Sequence, residues 1–218
     1  MIFGNLFYNF AVLIESKIFI MARIKTEKNG SRKDVIVSKA ATLFREKGYK
    51  AASMRDLAEA VGVEAASLYN HIKSKSELLH ELVFNVANRF VLKMDEIESE
   101  PISSLQKMEK LLRFHISEMI HNYEEVYVSD REWKHLSDPY LSNYQNQRRV
   151  YRKRIAAIIE EGIRNKEIKT IDAPTVVLIF LHAVSGIESW HRSTKKINAA
   201  ELEQNMVAIL IDGLKANK

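Results

Sequence analysis

The chain has 218 residues, a formal net charge of +5, no cysteine, seven glycines, three prolines and 46% hydrophobic residues. That hydrophobic share excludes a disordered chain, and the missing cysteine excludes a disulfide framework, cysteine-ligated zinc and thiolate catalysis while fitting a reducing cytoplasm. Few glycines and prolines favour long helices over sheets with many turns, so the expected class is all-α.

Charge is unevenly placed along the chain. Residues 21–75 carry twelve Lys/Arg against six Asp/Glu, residues 1–20 balance Glu15 against Lys17, and the rest comes to −1. A basic first segment before a neutral body predicts a small polyanion-binding module joined to a second unit. Residues 1–20 are rich in Phe, Ile and Leu but are interrupted by Asn5, Asn9, Glu15 and Lys17. They give neither an unbroken span of about 20 apolar residues nor a secretory leader, so no membrane partner is expected. Met21 opens a polar, basic lead-in. The expectation is a natural start there, with 1–20 a non-native or disordered extension, 21–78 the polyanion-binding unit and 79–218 a second unit.

Four helix starts are marked by a short polar side chain followed three residues later by an acid: Ser31 with Asp34, Ser53 with Asp56, Ser74 with Glu77, and Asn198 with Glu201. After Ser31, Val37, Ala40, Ala41 and Phe44 share one helical face and Gly48 sits at a left-handed stop. After Ser53, a short helix holding Leu57, Ala58 and Val61 ends at Gly62, and a third runs from about Ala65 to His71. A long helix extends from Lys75 through Ile97 on Leu78, Leu79, Leu82, Val83, Val86 and Phe90.

Pro101 is expected to open the next helix, to about His121, whereas Tyr123 to Pro139 shows no regular period. From Tyr140 to Asn165 an Arg-rich half gives way to Ile155, Ile158 and Ile159. Asp172 with Pro174 begins a helix apolar nearly all round through Trp190, the pattern of an element surrounded by others. The last helix, Ala199 to Leu214, carries a stripe of Leu202, Met206, Ile209, Leu210 and Gly213.

Two short helices joined by a tight turn behind a longer one let a helix enter a major groove about 12 Å wide while its neighbours hold the backbone. Gly62 supplies the turn, Leu57, Val61, Leu68 and Ile72 hold the pair together, and Ala65, Ala66, Ser67, Tyr69 and Asn70 are presented outward. Lys73 and Lys75 are placed for phosphates. The contiguous stretch LFREKGYKAASMRDLAEAVGVEAASLYNHIKSKSELLHEL, Leu43 to Leu82, resembles the DNA-binding domain of the tetracycline-repressor (TetR) family. The resemblance implies phosphate contacts from Ser53, Arg55, Tyr69, His71 and Lys75, and base readout from Ala65, Ala66, Ser67 and Asn70. Ala66 stands where many members carry a polar or bulkier residue. A dimeric repressor on double-stranded DNA at a palindromic operator is implied.

Beyond this stretch the likeness is one of architecture. Pro174 to His191 and Ala199 to Leu214 resemble the helix pair that builds a four-helix dimer interface, with Leu202, Met206, Ile209 and Leu210 as its contacts. Ser189-Trp190-His191-Arg192 is similar to a subgroup that senses acyl-CoA thioesters or other lipid-derived effectors, although His191 and Ser193 depart from its pattern. That likeness implies an effector pocket with a tunnel lined by Phe114, Met119, Phe180 and Val184, entered by an acyl-CoA or fatty acid, with Arg148, Arg149, Arg152 and Arg192 meeting phosphates. His115, His182 and Glu188 interrupt apolar stretches, where an unpartnered polar group is costly, and are further candidates together with Tyr123, Trp133, Tyr144 and Trp190.

Seven histidines invite a search for an enzyme or metal site. His115 and His121 are six apart and His182 and His191 nine apart, neither the three- or four-residue spacing that aims two ligands at one ion, and no phosphate loop or nucleophile elbow occurs. No catalytic residue, metal or cofactor is therefore expected. The competing readings are a helical-bundle protein-interaction module and an enzyme without a recognisable motif; a module of that kind needs no basic N-terminal segment.

Overall fold

In the computed structural model the described residues are 32–195 and 197–216. The Ser31 cap and the expected extension at 1–20 lie outside them.

The caps read from the sequence organise the N-terminal helices. Helix α1 (Arg32–Lys47) buries Ile36, Val37, Ala40, Ala41, Leu43 and Phe44 and stops at Gly48, whose φ is +77°. Helix α2 (Met54–Val61) begins at a reciprocal box in which the Ser53 hydroxyl accepts from the Asp56 N–H and the Asp56 carboxylate accepts from the Ser53 N–H. It ends at Gly62, φ +76°, a conformation that a side chain resists. Helix α3 (Ala65–Leu68) is a single turn, shorter than expected, prolonged by turns in which His71 N–H reaches the Leu68 carbonyl at 3.0 Å. Ser74 caps α4 (Lys75–Ser99).

The body departs from expectation at three places. Helix α5 (Ser104–His121) starts at Ser103, boxed with Gln106, and Pro101 lies in the loop before it. An amide at the third position does the work expected of an acid. The stretch after α5 is helical: α6 (Tyr123–Arg131) buries Val126, Val128 and Ser129, and a short 3-10 turn follows at Trp133–His135. Helix α7 spans Tyr140–Arg164. The apolar segment after Asp172 forms α8 (Ala173–Ser185) and, past Gly186, α9 (Ile187–Arg192). Helix α8 is not surrounded: Val176, Val177, Phe180 and Val184 are buried, but Leu178 and Ile179 are 58% and 52% exposed.

Asn198 caps α10 (Ala199–Asp212), and among the described residues the lone β pairing is an isolated bridge between Ile168 and Lys215. In α10, Leu202, Met206 and Leu210 pack partly against their own body core, while Ile209 is 73% exposed.

Two apolar cores follow. One joins α1, α2 and α3 to Leu78, Leu79, Leu82 and Val83 of α4, and also takes in Val128, Leu136 and Tyr144. The other fills the body around Met94, Ile97, Met108, Leu112, Ile155, Ile159 and Phe180. Helix α4 contributes to both, since Val86, Met94 and Ile97 belong to the second, and is therefore the element the two cores share.

Candidate nucleic-acid interface and effector cavity

The turn between α2 and α3 is held from inside. Leu57, Leu68 and Ile72 are at most 1% exposed and belong to one core, leaving the opposite side of α3 to solvent. On that side Ala65, Ala66, Asn70 and His71 are exposed, Tyr69 is 51% exposed and Ser67 is half-buried. Arg55 is exposed one residue into α2. Small side chains at 65 and 66 allow the backbone to approach base edges, and the flanking Arg, Tyr, His and Asn groups match phosphate and base chemistry.

Ser53 is tied into its cap: its hydroxyl donates to Asp56 Oδ2 at 2.5 Å while accepting from the Asp56 N–H at 3.1 Å. The Lys47 ammonium, 2.8 Å from Asp56 Oδ1, and the Ser53 donors hold the Asp56 carboxyl well below the usual carboxylate range. Lys75, expected at a phosphate, is engaged by the chain itself in this structure. Its ammonium donates to the carbonyls of Tyr49 at 2.8 Å, Lys50 at 3.2 Å and Ala52 at 2.8 Å, and lies 4.6 Å from the centre of the Tyr49 ring. An ammonium has three protons, and all three are directed into the loop between α1 and α2. Exposed Lys50 and Lys73 remain open to phosphate.

The body holds a half-open cavity of about 340 Å³ between α4, α5, α6, α7, α8 and α9. Its apolar wall includes Val86, Phe90, Met119, Val126, Leu181 and Val184. One face of α7 supplies a polar-aromatic ladder, Tyr144, Gln147, Arg148, Tyr151 and Arg152, at the three- and four-residue steps of a helix. Two pairs of polar side chains are sunk into the wall. The Tyr144 hydroxyl lies 3.0 Å from Ser129 Oγ, and Tyr151 Oη lies 2.8 Å from His115 Nε2. Desolvation holds the His115 imidazole down to about 3, so it is neutral, and pushes the Tyr151 phenol up. Three guanidinium groups border the cavity. Arg131 pairs with Glu188 at 2.8 Å and Arg148 with Asp130 at 3.1 Å, whereas Arg152 makes no ion pair among the described residues.

A polar recess connects cavity and head. Arg45 of α1 pairs with Glu124 of α6, and Tyr123 stacks on His191 with ring centres 4.0 Å apart. The ring N–H of His191 donates to the Met119 carbonyl at 2.7 Å. Glu188 borders both recess and cavity.

Of the effector candidates, the cavity brings together His115, Met119, Tyr144, Arg148, Arg152, His182, Val184 and Glu188, whereas Arg149 is not in its lining. Phe114 and Phe180 lie behind its wall, against Phe90 and His115 at ring separations of 5.1 Å and 5.2 Å. Tyr123 and Arg192 line the recess instead. Trp133 sits outside the lining, 5.4 Å beneath the Arg148 guanidinium, and Trp190 is pinned by its indole N–H to the Ile197 carbonyl at 2.9 Å. Phe90, Arg131, Gln147 and Tyr151 were not among the effector candidates. The available signal is the α7 ladder, a Tyr-x-x-Gln-Arg-x-x-Tyr-Arg run that puts polar and aromatic side chains on one helical face.

Comparison with known proteins agrees with this arrangement. Residues 36–82 match the family described as "Bacterial regulatory proteins, tetR family", and residues 101–214, more than half of the chain, match "Tetracyclin repressor-like, C-terminal domain". The HTH-type transcriptional repressor KstR2 of Mycolicibacterium smegmatis is 26% identical over 196 residues, covering 89% of this chain and 96% of that protein. The structure of the ketosteroid transcriptional regulator KstR2 of Mycobacterium tuberculosis superposes with a TM-score of 0.80 at 23% identity, covering 87% of this chain and 98% of that one. AibR, solved in complex with isovaleryl coenzyme A and operator DNA, gives a TM-score of 0.74 at 20% identity over 83% and 98% of the two chains. An exposed single-turn helix on a buried two-helix support, joined through a shared long helix to a hollow body, is thus found in a chain that belongs to the tetracycline-repressor (TetR) family of helix-turn-helix transcriptional regulators.

Proposed function

We propose that the chain is a cytoplasmic repressor that binds a palindromic operator as a homodimer and is released when an acyl-CoA-like effector fills the body cavity. The DNA-binding unit is 21–78 and the effector and dimerisation unit 79–218, with their boundary inside α4. Ala65, Ala66, Ser67 and Asn70 face bases, and Arg55, Tyr69, His71 and the Ser53 end of α2 face phosphates, in keeping with their exposure around α3. Pairing of two copies through the open face of α8 and α10 covers Leu178, Ile179 and Ile209, large apolar side chains that one protomer leaves in water. A palindromic site then requires the two copies of α3 to lie one DNA turn, roughly 34 Å, apart.

The observation that carries the effector reading is the cavity's divided chemistry: an aromatic and aliphatic interior bordered by Arg131, Arg148 and Arg152. An acyl chain satisfies the first and the phosphates of coenzyme A the second. Release follows from wedging α4, whose Val86, Ala87, Phe90 and Val91 line the cavity while Leu78, Leu79 and Leu82 sit in the head core. The isovaleryl coenzyme A bound by AibR is in line with this ligand class. The test is fluorescence anisotropy of a labelled duplex from the chain's own upstream region, titrated with acyl-CoAs of increasing length and with coenzyme A alone. Displacement by acyl-CoAs but not by coenzyme A is expected; duplex binding unaltered by every thioester contradicts the effector reading.

A further inference from the structure

The buried polar pair in the cavity wall has a property that does not depend on where its protons are. His115 is 4% exposed, lies between the Phe90 and Phe180 rings at 4.8 Å and 5.2 Å, and contacts Tyr151 Oη through Nε2 at 2.8 Å. Neither side chain makes another hydrogen bond among the described residues. A neutral imidazole has one donor and one acceptor, and a phenol one donor. If Tyr151 donates to Nε2, the ring proton sits on Nδ1 without a partner; if Nε2–H donates, the phenolic proton is the one left over. In either tautomer a single donor remains unmatched within an otherwise aromatic and aliphatic stretch of wall.

The pair carries no charge, because burial keeps His115 neutral down to about pH 3. Arg154, whose field reaches Tyr151, is already held by Asp95 at 2.6 Å and Glu98 at 2.5 Å. A carboxylate at this spot would be an uncompensated buried charge, whereas a plain alkyl chain would leave the donor unmatched.

We propose that His115 and Tyr151 form a recognition site for an uncharged carbonyl oxygen on the buried part of the effector, so that the chain selects oxo-substituted acyl or ring compounds over their saturated counterparts. This rests on the effector cavity proposed above and adds to it the chemistry of the buried end. Either residue alone keeps a donor, so a single substitution leaves partial selectivity. The double variant His115→Phe with Tyr151→Phe removes it and replaces both partners by apolar rings, an exchange that folded proteins tolerate better than loss of one partner.

The experiment is isothermal titration of the full-length dimer with two matched pairs: the coenzyme A thioesters of 3-(4-oxocyclohexyl)propionate and 3-cyclohexylpropionate, and the uncharged pair 2-decalone and decalin, the latter pair also followed by melting temperature. Wild type is expected to prefer the oxo member of a pair by about 10-fold or more, since one buried donor is left unmatched by the other member. In the double variant the preference falls to about one, with the saturated member bound at least as well as by wild type. Equal wild-type affinity for both members, or no response to any of the four, overturns the proposal. Failure of both thioesters with retention of the decalone preference refutes the coenzyme A reading alone. Wild-type selectivity needs no variant, and operator binding by the double variant checks that it folds.

Discussion

Replacing Lys75 by methionine separates two roles that the sequence alone runs together. The ammonium makes two part-buried hydrogen bonds of 2.8 Å, to the Tyr49 and Ala52 carbonyls, and an exposed one of 3.2 Å to Lys50. A hydrogen bond from a charged donor contributes about 1.5–3 kcal/mol when buried, and partial exposure cuts this by roughly half. Lys75→Met is therefore expected to destabilise the head by about 1.5–3 kcal/mol, the third bond adding little. If Lys75 neutralised a phosphate, the logarithmic salt dependence of operator binding would become shallower by about 0.9 for each phosphate left without its cation. As a loop anchor it leaves that slope unchanged. Urea denaturation gives the first quantity and anisotropy at several salt concentrations the second. Unaltered stability together with a slope reduced by about one per protomer would refute the loop-anchor role.

Further predictions rest on equally local features. Ile209→Asp and Leu178→Asp place charge on side chains 73% and 58% exposed in one protomer; light scattering is expected to find monomers and operator affinity to fall, and an undiminished dimer contradicts the placing of the interface. Gly62→Ala meets no atom within 4 Å, so its cost is conformational, about 1–2 kcal/mol from the positive φ; a loss below about 0.5 kcal/mol by denaturation contradicts the strain. His115 is neutral when folded, its pKa lowered to about 3 by desolvation, whereas the unfolded chain protonates near 6.5. Stability from this group is full above about pH 6.5 and falls by about 1.4 kcal/mol per unit on acidification toward about 3. Denaturation at pH 7 and pH 5 should show wild type losing about 2 kcal/mol more than His115→Phe; parallel losses count against the burial.

The head was largely legible because its signals are local. A serine with an acid three residues on announces α2 and α4, and glycines at 48 and 62 sit where the backbone turns left-handed. Failures came where the deciding partner is distant in sequence. Helix α6 has no helical apolar period because its two faces serve different neighbours: Val126 packs in the body core and Val128 in the head core. The apolar girdle of α8 is consistent with either an enclosed helix or one with a face left open, and only the exposure of Leu178 and Ile179 distinguishes them. A box closed by Gln106 instead of an acid hid the start of α5.

Cavity residues divide the same way. His115 and Glu188 stood out as polar groups in apolar runs, but Tyr151 and Gln147 come from a helix half rich in arginine, where they pass for surface. Lys75 is the converse case. A cation beside a DNA-facing helix suggests phosphate, and nothing in the sequence reveals that three carbonyls from the loop after α1 converge on it.

The most direct measurement is protection of the chain's own upstream DNA against hydroxyl radicals, with wild type beside Tyr69→Ala, whose side chain is 51% exposed on α3. Wild type should protect two symmetry-related half-sites about one helical turn apart, and the variant should protect neither at moderate salt. Protection that is absent in wild type, or that survives unaltered in the variant, contradicts DNA reading by α3.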